Sequence, residues 1–239
     1  MITVALIGPD GAGKTTVGRL LAQRIPVPIK YVYMGINLES SNHMLPTTRL
    51  IRALKRARGV APDTAGPRDP KTIGRRPKGL LRRAAAGARS TVSLINRMSE
   101  EWFRQILAWN YRRGGNIVVF DRHYFADYYA YDIANPGQEK PLTRRVHGFM
   151  LDKLYPRPDL TIYLDAPAEV LFARKGEGTI ESLERRRQSY LQMADVLEHF
   201  EVVNVDRPLE EVASDVAGLV YGFYRRKAAA AGRLGDAPN

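Results

Sequence analysis

Gly8-Pro9-Asp10-Gly11-Ala12-Gly13-Lys14-Thr15-Thr16 constrains this chain more than any other stretch, because it fits G-x-x-x-x-G-K-[ST] and stands between a strand and a helix. Before it, Ile2-Thr3-Val4-Ala5-Leu6-Ile7 is an apolar run of strand length rich in β-branched residues. After it, Val17, Leu20, Leu21 and Ile25 recur at helical spacing. Strand, glycine turn and helix start together make a cradle for phosphate. The glycines let successive backbone N–H groups curl around the anion, and the helix N-terminus adds partial positive charge. Gly8, Asp10, Gly11, Ala12, Gly13, Lys14, Thr15 and Thr16 are therefore the expected nucleotide-binding residues. Lys14 would reach the β- and γ-phosphates, and the Thr15 hydroxyl would hold Mg²⁺.

Four more runs read as strands: Ile29 to Met34, Asn116 to Asp121, Leu160 to Asp165 and Glu201 to Asp206. Helical patterns separate them, over Ser90 to Arg113, through Tyr131, Leu142 to Leu154, Pro167 to Arg174, Glu181 to Phe200 and Leu209 to Arg226. Alternation of this kind predicts an α/β chain, a three-layer α/β/α P-loop NTPase fold with a five-stranded parallel sheet. The 239 residues suffice for one well-filled domain, expected over 1–228, with a small, polar tail at 229–239. In the long helix Val92, Ile95, Met98, Trp102, Ile106 and Trp109 step by three or four residues. That stripe is expected in the core; in a dimeric protein it could face a partner helix, and a homodimer is expected. No apolar run reaches ~18 residues, so no membrane span is expected. The start has no basic n-region, so no signal peptide is expected. The absence of cysteine excludes disulfides and thiolate chemistry and suits the cytoplasm.

The net charge of +12 is unevenly placed: residues 47–89 hold 13 Lys/Arg against Asp63 and Asp69. That segment opens with a possible basic helix, Thr47 to Gly59, whose Leu50, Ile51 and Leu54 share a face. From Val60 to Gly79 four prolines and three glycines break the pattern, which reads as a surface excursion with too few apolar residues for a core. Asp63-Thr64-Ala65-Gly66 matches the D-x-x-G of GTPase switches by letters only, since it follows no strand and no N-K-x-D signature accompanies it.

A phosphate loop alone leaves ATPase, GTPase and kinase open. Asp121 ends an apolar strand, at the sheet edge where open α/β folds place their chemistry, and is the expected second holder of Mg²⁺ with Thr15. Arg122 beside it can fork onto phosphate oxygens. Phosphoryl transfer also needs cations on the equatorial oxygens and a closing lid. Residues 174–187 supply both, with Arg174 ending a helix, a glycine-broken connection, and Glu184-Arg185-Arg186-Arg187 on the next helix. Lys14, Asp121, Arg122 and Arg174 are the expected catalytic residues.

Gly8 to Thr16 resembles the G-x-[DE]-G-[AS]-G-K-[ST]-T loop of thymidylate kinases, a narrower pattern than the general phosphate loop. Asp121-Arg122-His123 looks like that family's D-R-[YH] motif. Leu164-Asp165-Ala166-Pro167 through Arg174 resembles its L-D-x-x-P-E-x…R element before the lid, and Val205-Asp206-Arg207-Pro208 its loop on adenine. Order and spacing match over most of the chain apart from Leu38 to Ser90. The resemblance implies ATP and Mg²⁺ as cofactors, with Asp206 and Arg207 on the adenine side. It implies Asp10 near the acceptor's sugar hydroxyl, Arg122 near its phosphate, and Arg174 as a lid cation. Four departures accompany it. Tyr33-Met34-Gly35-Ile36-Asn37-Leu38 replaces the family's T-R-E-P-G, whose Arg grips the acceptor phosphate. Ala126 stands nearest the usual Ser after the D-R-[YH] motif. Gly11 stands where some members carry Arg. Lys175 to Glu181 contains no Arg.

The leading expectation is an ATP-dependent phosphotransferase of nucleoside-monophosphate kinase type. Its partners would be ATP and a small phosphorylated or hydroxylated acceptor, with dTMP or a related nucleotide first. A sugar phosphate or glycan intermediate is the second choice of acceptor. A different class is an ATP-gated binding module whose segment 47–89 meets an anionic polymer or membrane surface. That segment has no aromatic residue for base stacking.

Overall fold

β1 (Thr3–Ile7) and β3 (Ile117–Asp121) are buried along their whole length. Unbroken apolar runs of this type require cover on both faces. In the computed structural model, which describes residues 1–35, 43–57, 59, 79–133 and 140–232, they join β2 (Ile29–Tyr33), β4 (Leu160–Asp165) and β5 (Phe200–Asn204). All pairs are parallel and the order is β2-β3-β1-β4-β5. This is the α/β architecture the alternating pattern predicts.

The described residues fall into two compact units. The first, Met1–Tyr33, Leu107–His123 and Arg157–Asn239, contains the whole sheet. On one face, Val4, Leu6, Val119, Ile162 and Leu164 pack with Val17 and Leu21 of α1 (Lys14–Arg24) and with Val212, Val216 and Val220 of α8 (Leu209–Ala230). On the other face Tyr163 stacks against Tyr190 of α7 (Ile180–Leu191) and against Phe200. The register sets Leu6 opposite Asp121 on one side of β1 and Ile7 opposite Tyr163 on the other. The chain leaves β1 for β2 beyond β3, whereas β4 lies on the opposite side, so the loop after β1 stands at the reversal of strand order where open α/β sheets bind ligands.

The second unit, Met34–Ile106 and Tyr124–Pro156, contains α2 (Pro46–Ala57), most of α3 (Leu80–Arg113), α4 (Tyr124–Tyr128) with a π turn at Tyr129–Ile133, and α5 (Leu142–Phe149) with a π turn at Met150–Leu154. Its interior mixes apolar side chains such as Met34, Phe125, Met150 and Leu151 with a buried polar cluster. His147 Nδ1 lies 2.7 Å from Asp132 and Nε2 lies 2.9 Å from Glu101, all three side chains being buried. Gly148 packs so closely there that a Cβ would lie 2.3 Å from the Asp132 carbonyl oxygen.

The structure corrects several sequence expectations. α3 starts at Leu80 rather than Ser90 and runs for 34 residues. Its stripe is not core: Val92, Ile95 and Ile106 are exposed and Trp109 is 49% exposed, with the Arg113 guanidinium 3.8 Å over its ring. The buried face instead carries Glu100, Glu101, Arg104 and Ala108. Polar partners from distant segments make that face buriable, and apolar periodicity cannot register them. α7 ends at Leu191 and passes into a 3₁₀ turn, and α8 continues to Ala230. Of the expected excursion, residues 60–78 lie outside the described residues, as do 233–239 of the expected tail and 36–42 after β2. Among the described residues no helix is long and apolar enough to cross a membrane.

Candidate active site

The loop after β1 is shaped by two close approaches. Gly8 adopts φ 150° and a Cβ there would lie 2.7 Å from the Leu164 carbonyl oxygen; Gly11 adopts φ 92° and a Cβ would lie 2.7 Å from that of Leu171. Both positions therefore demand glycine. Gly13 is the N-cap of α1, Ala12 is buried, and Thr15 and Thr16 open the helix exposed. Lys14 is buried to 6% exposure, and its Nζ donates to the Gly8 and Pro9 carbonyls at 2.8 Å each, so the ammonium is folded over the loop.

Pairing of β3 with β1 brings Asp121 to this loop. The Thr15 hydroxyl donates to Asp121 Oδ2 at 2.5 Å, and the Tyr31 hydroxyl from the middle of β2 donates to the same oxygen. Burial, then the charge of Asp121 and this bond, push the Tyr31 phenol well above its ordinary range, so it stays a donor. One residue on, Arg122 has φ 69°, the left-handed region, with its N–H still bonded to the Leu6 carbonyl at 3.0 Å. That turn aims its guanidinium at Asp10, with which it pairs. Arg186 of α7 donates to the other Asp10 oxygen at 3.2 Å, and Lys175, ending α6 (Ala168–Lys175), lies 3.8 Å away. Burial alone would raise the Asp10 carboxyl, but Arg122, Lys14 and Arg186 outweigh it and hold the group well below the usual carboxylate range.

Arg174 goes elsewhere. It donates to the Val205 carbonyl at 2.9 Å and lies 3.7 Å from Asp206, so its described contacts are with the loop after β5. In that loop the Asp206 N–H donates to Asn204 Oδ1 at 2.8 Å, and Arg207 bonds the Asn204 carbonyl at 3.2 Å and Asp215 at 2.6 Å. The arginine run on α7 divides by helical phase. Arg185 pairs with Glu181 at the surface, Arg186 reaches Asp10, and Arg187 grips Asp165 through two bonds of 2.7 and 2.9 Å. Below them α7 is capped reciprocally by Thr179 and Ser182, which fixes where its arginines point.

No family model matches the chain. It is 34% identical over 122 residues to a probable thymidylate kinase of Archaeoglobus fulgidus, a match spanning 48% of this chain and 58% of that one. It is 28% identical over 225 residues to one of Pyrococcus horikoshii and 22% over 231 residues to one of Sulfolobus acidocaldarius. These matches cover 91% and 93% of this chain and 94% and 98% of the relatives. The chain is similar to thymidylate kinases.

The chemistry of the donors near the loop fits Mg²⁺. Asp121 Oδ1 is buried with no hydrogen-bond partner among the described residues, while Oδ2 holds the Thr15 hydroxyl. One carboxylate and one hydroxyl are hard oxygen ligands, too few for a closed cage. That suits an ion which keeps water and takes its other ligands from substrate phosphates. Beside them His123 is buried and held near about 3 by that burial, so it is neutral.

Sequence reasoning missed Tyr31, Lys175 and Arg186 as individual members of this cluster. Tyr31 reaches the cluster because it is in register with Val119, two residues before Asp121, on the neighbouring strand. Arg186 and Arg187 could not be separated without the phase of α7.

Proposed function

We propose that this kinase moves the γ-phosphate of ATP to a nucleoside monophosphate, with dTMP the first acceptor, and that residues 1–228 act as one kinase domain. The observation that carries the reading is the cluster of Lys14, Thr15, Asp121 and Arg122 around a glycine-shaped loop at the end of β1. Thymidylate kinase names among relatives matched over nearly their whole length support the choice of acceptor. In this reading the loop N–H groups and Lys14 bind the ATP phosphates, and Thr15 and Asp121 would hold Mg²⁺, which would supply neutralisation of phosphate charge. Asp206 and Arg207 flank adenine. Arg122 and Arg186, held ready on Asp10, meet the charge that builds on the transferring group, and Arg174 fixes the loop after β5 against α6. The exposed α3 stripe of Val92, Ile95, Ile106 and Trp109 supports pairing of two copies.

The test is transfer of label from Mg·[γ-³²P]ATP to a panel of nucleoside monophosphates and sugar phosphates, with the products identified. The reading predicts labelled dTDP. Label passing to a sugar phosphate instead would replace the acceptor class, and label appearing only as inorganic phosphate would overturn the transferase reading.

A further inference from the structure

Arg104 is fully enclosed at 0% exposure and is among the largest fully buried side chains of the described residues. Its Nη1 donates to the Gly35 carbonyl at 3.1 Å and to the Tyr124 hydroxyl at 2.6 Å. Both protons of that nitrogen are thereby used, and the plane of the guanidinium is fixed, with the Tyr124 ring 5.7 Å away. The opposite edge is different. Nε and Nη2 are buried and have no hydrogen-bond partner among the described residues. These two nitrogens form the side-on fork of arginine, whose parallel N–H groups match two oxygens of one phosphate or carboxylate.

Glu100, one turn back on α3, does not close the fork. Its Oε2 stands 3.9 Å from Arg104 Nε, beyond hydrogen-bond distance, and is itself without a partner among the described residues. Its Oε1 is taken by the Leu45 N–H at 2.9 Å, which orients the carboxylate toward the start of α2. Charge of both signs surrounds Arg104: Glu100 and Glu101 are buried carboxylates on the same helix, while His43 is kept below the ordinary histidine range by burial and then by the charges of Arg104 and Arg49. Unpaired donors on a buried cation are costly and rare in native structures, and a ligand, ion or water that completes them is one of the standard reasons they are kept.

We propose that the Nε/Nη2 edge of Arg104 is an oxyanion site, and that its ligand is the phosphate of the acceptor. The identity of the ligand rests on the kinase reading; the site itself rests on the geometry. The arginines around Asp10 are hydrogen-bonded to a carboxylate, whereas Arg104 is hydrogen-bonded to neutral oxygens and meets the Glu100 carboxylate only at 3.9 Å, which leaves the fork without a hydrogen bond among the described residues. Because the guanidinium is enclosed, an entering anion must displace what covers it, so binding is best read at Arg104 itself.

The experiment follows the Arg104 Nε–H resonance of the full chain during titration with inorganic phosphate, dTMP and thymidine, alongside kinetics of Arg104→Lys and Glu100→Gln. The resonance should move with phosphate and dTMP and not with thymidine. Arg104→Lys keeps the charge but loses the fork, and should raise KM for dTMP about 10- to 100-fold while KM for ATP holds, the range for losing a charge-assisted bond. Glu100→Gln should leave dTMP affinity unchanged or tighter. A resonance that ignores both phosphate and dTMP overturns the proposal, and so does a Glu100→Gln variant as weakened as Arg104→Lys, which would make Glu100 the true partner. A resonance that moves with phosphate in a protein that does not phosphorylate dTMP keeps the oxyanion site and refutes the acceptor named above.

Discussion

Arg122 makes a backbone cost separable from a chemical one. Its φ of 69° is enforced from both sides: the N–H is held by the Leu6 carbonyl, and α4 starts two residues later at Tyr124. Arg122→Ala and Arg122→Gly both remove the guanidinium, so both lose the pair with Asp10, and that term cancels between them. What remains is conformation. A left-handed non-glycine residue costs roughly 1–2 kcal/mol, and glycine gives back roughly 0.5–1 through its greater freedom when unfolded. The glycine variant should therefore be the more stable of the two by about 0.5–1 kcal/mol, reversing the usual order. In a chain of this size that is roughly 1–4 °C in Tm. Urea unfolding and thermal melts of the two variants measure it, with phosphotransfer assayed on the same preparations. Both should bind ATP and both should lose acceptor turnover to the same degree. An alanine variant as stable as the glycine one, or a glycine variant with wild-type turnover, would refute the reasoning.

His147 should make stability fall on the alkaline side. Burial opposes its protonation, but the bonds to Asp132 and Glu101 win and raise its pKa, with Arg97, Arg144 and the edge of Tyr128 also facing the cluster. Its contribution is thus complete below the unfolded value near 6.5 and is lost as pH climbs through the raised folded value. His147→Ala strands two buried carboxylates, so denaturant titration should show a loss of about 3–5 kcal/mol near pH 6. Asp121→Asn should raise the Mg²⁺ concentration needed for half-maximal transfer far more than it lowers Tm, which a metal titration of initial rate checks. Gly8→Ala, whose Cβ would press on the Leu164 carbonyl at 2.7 Å, should abolish ATP binding in a calorimetric titration while the sheet persists by far-UV circular dichroism.

The sheet and the phosphate loop were legible because their determinants are local. β1, β3 and β4 are continuous apolar runs, and Gly8 to Thr15 is contiguous, so strand, turn and helix could be placed without knowing the fold. Asp121 followed because a carboxylate ending a buried strand has few other uses beside such a loop. The second unit was illegible for the opposite reason. Glu101 meets His147 across 46 residues and Arg104 meets Tyr124 across 20, and neither pairing leaves a trace in apolar periodicity. The Val92 to Trp109 stripe accordingly looked like the inward face of α3 when most of it faces out. Arg174 and Arg186 exchange neighbourhoods relative to expectation because α6 ends beside β5, while the turn capped by Thr179 phases Arg186 toward Asp10.

The central claim is that a glycine-shaped loop carrying Lys14 delivers the γ-phosphate to a separate acceptor rather than to water. The most direct measurement is the initial rate of ADP formation from Mg·ATP with and without dTMP, for the wild-type chain and for Lys14→Ala. ADP should form steadily only when dTMP is present, with one dTDP per ADP. Lys14→Ala should slow that rate by roughly 10²–10³, the range for losing one preorganised charge-stabilising group, with Tm little changed. ADP formation at the same rate with and without acceptor, or full turnover in Lys14→Ala, would contradict the account.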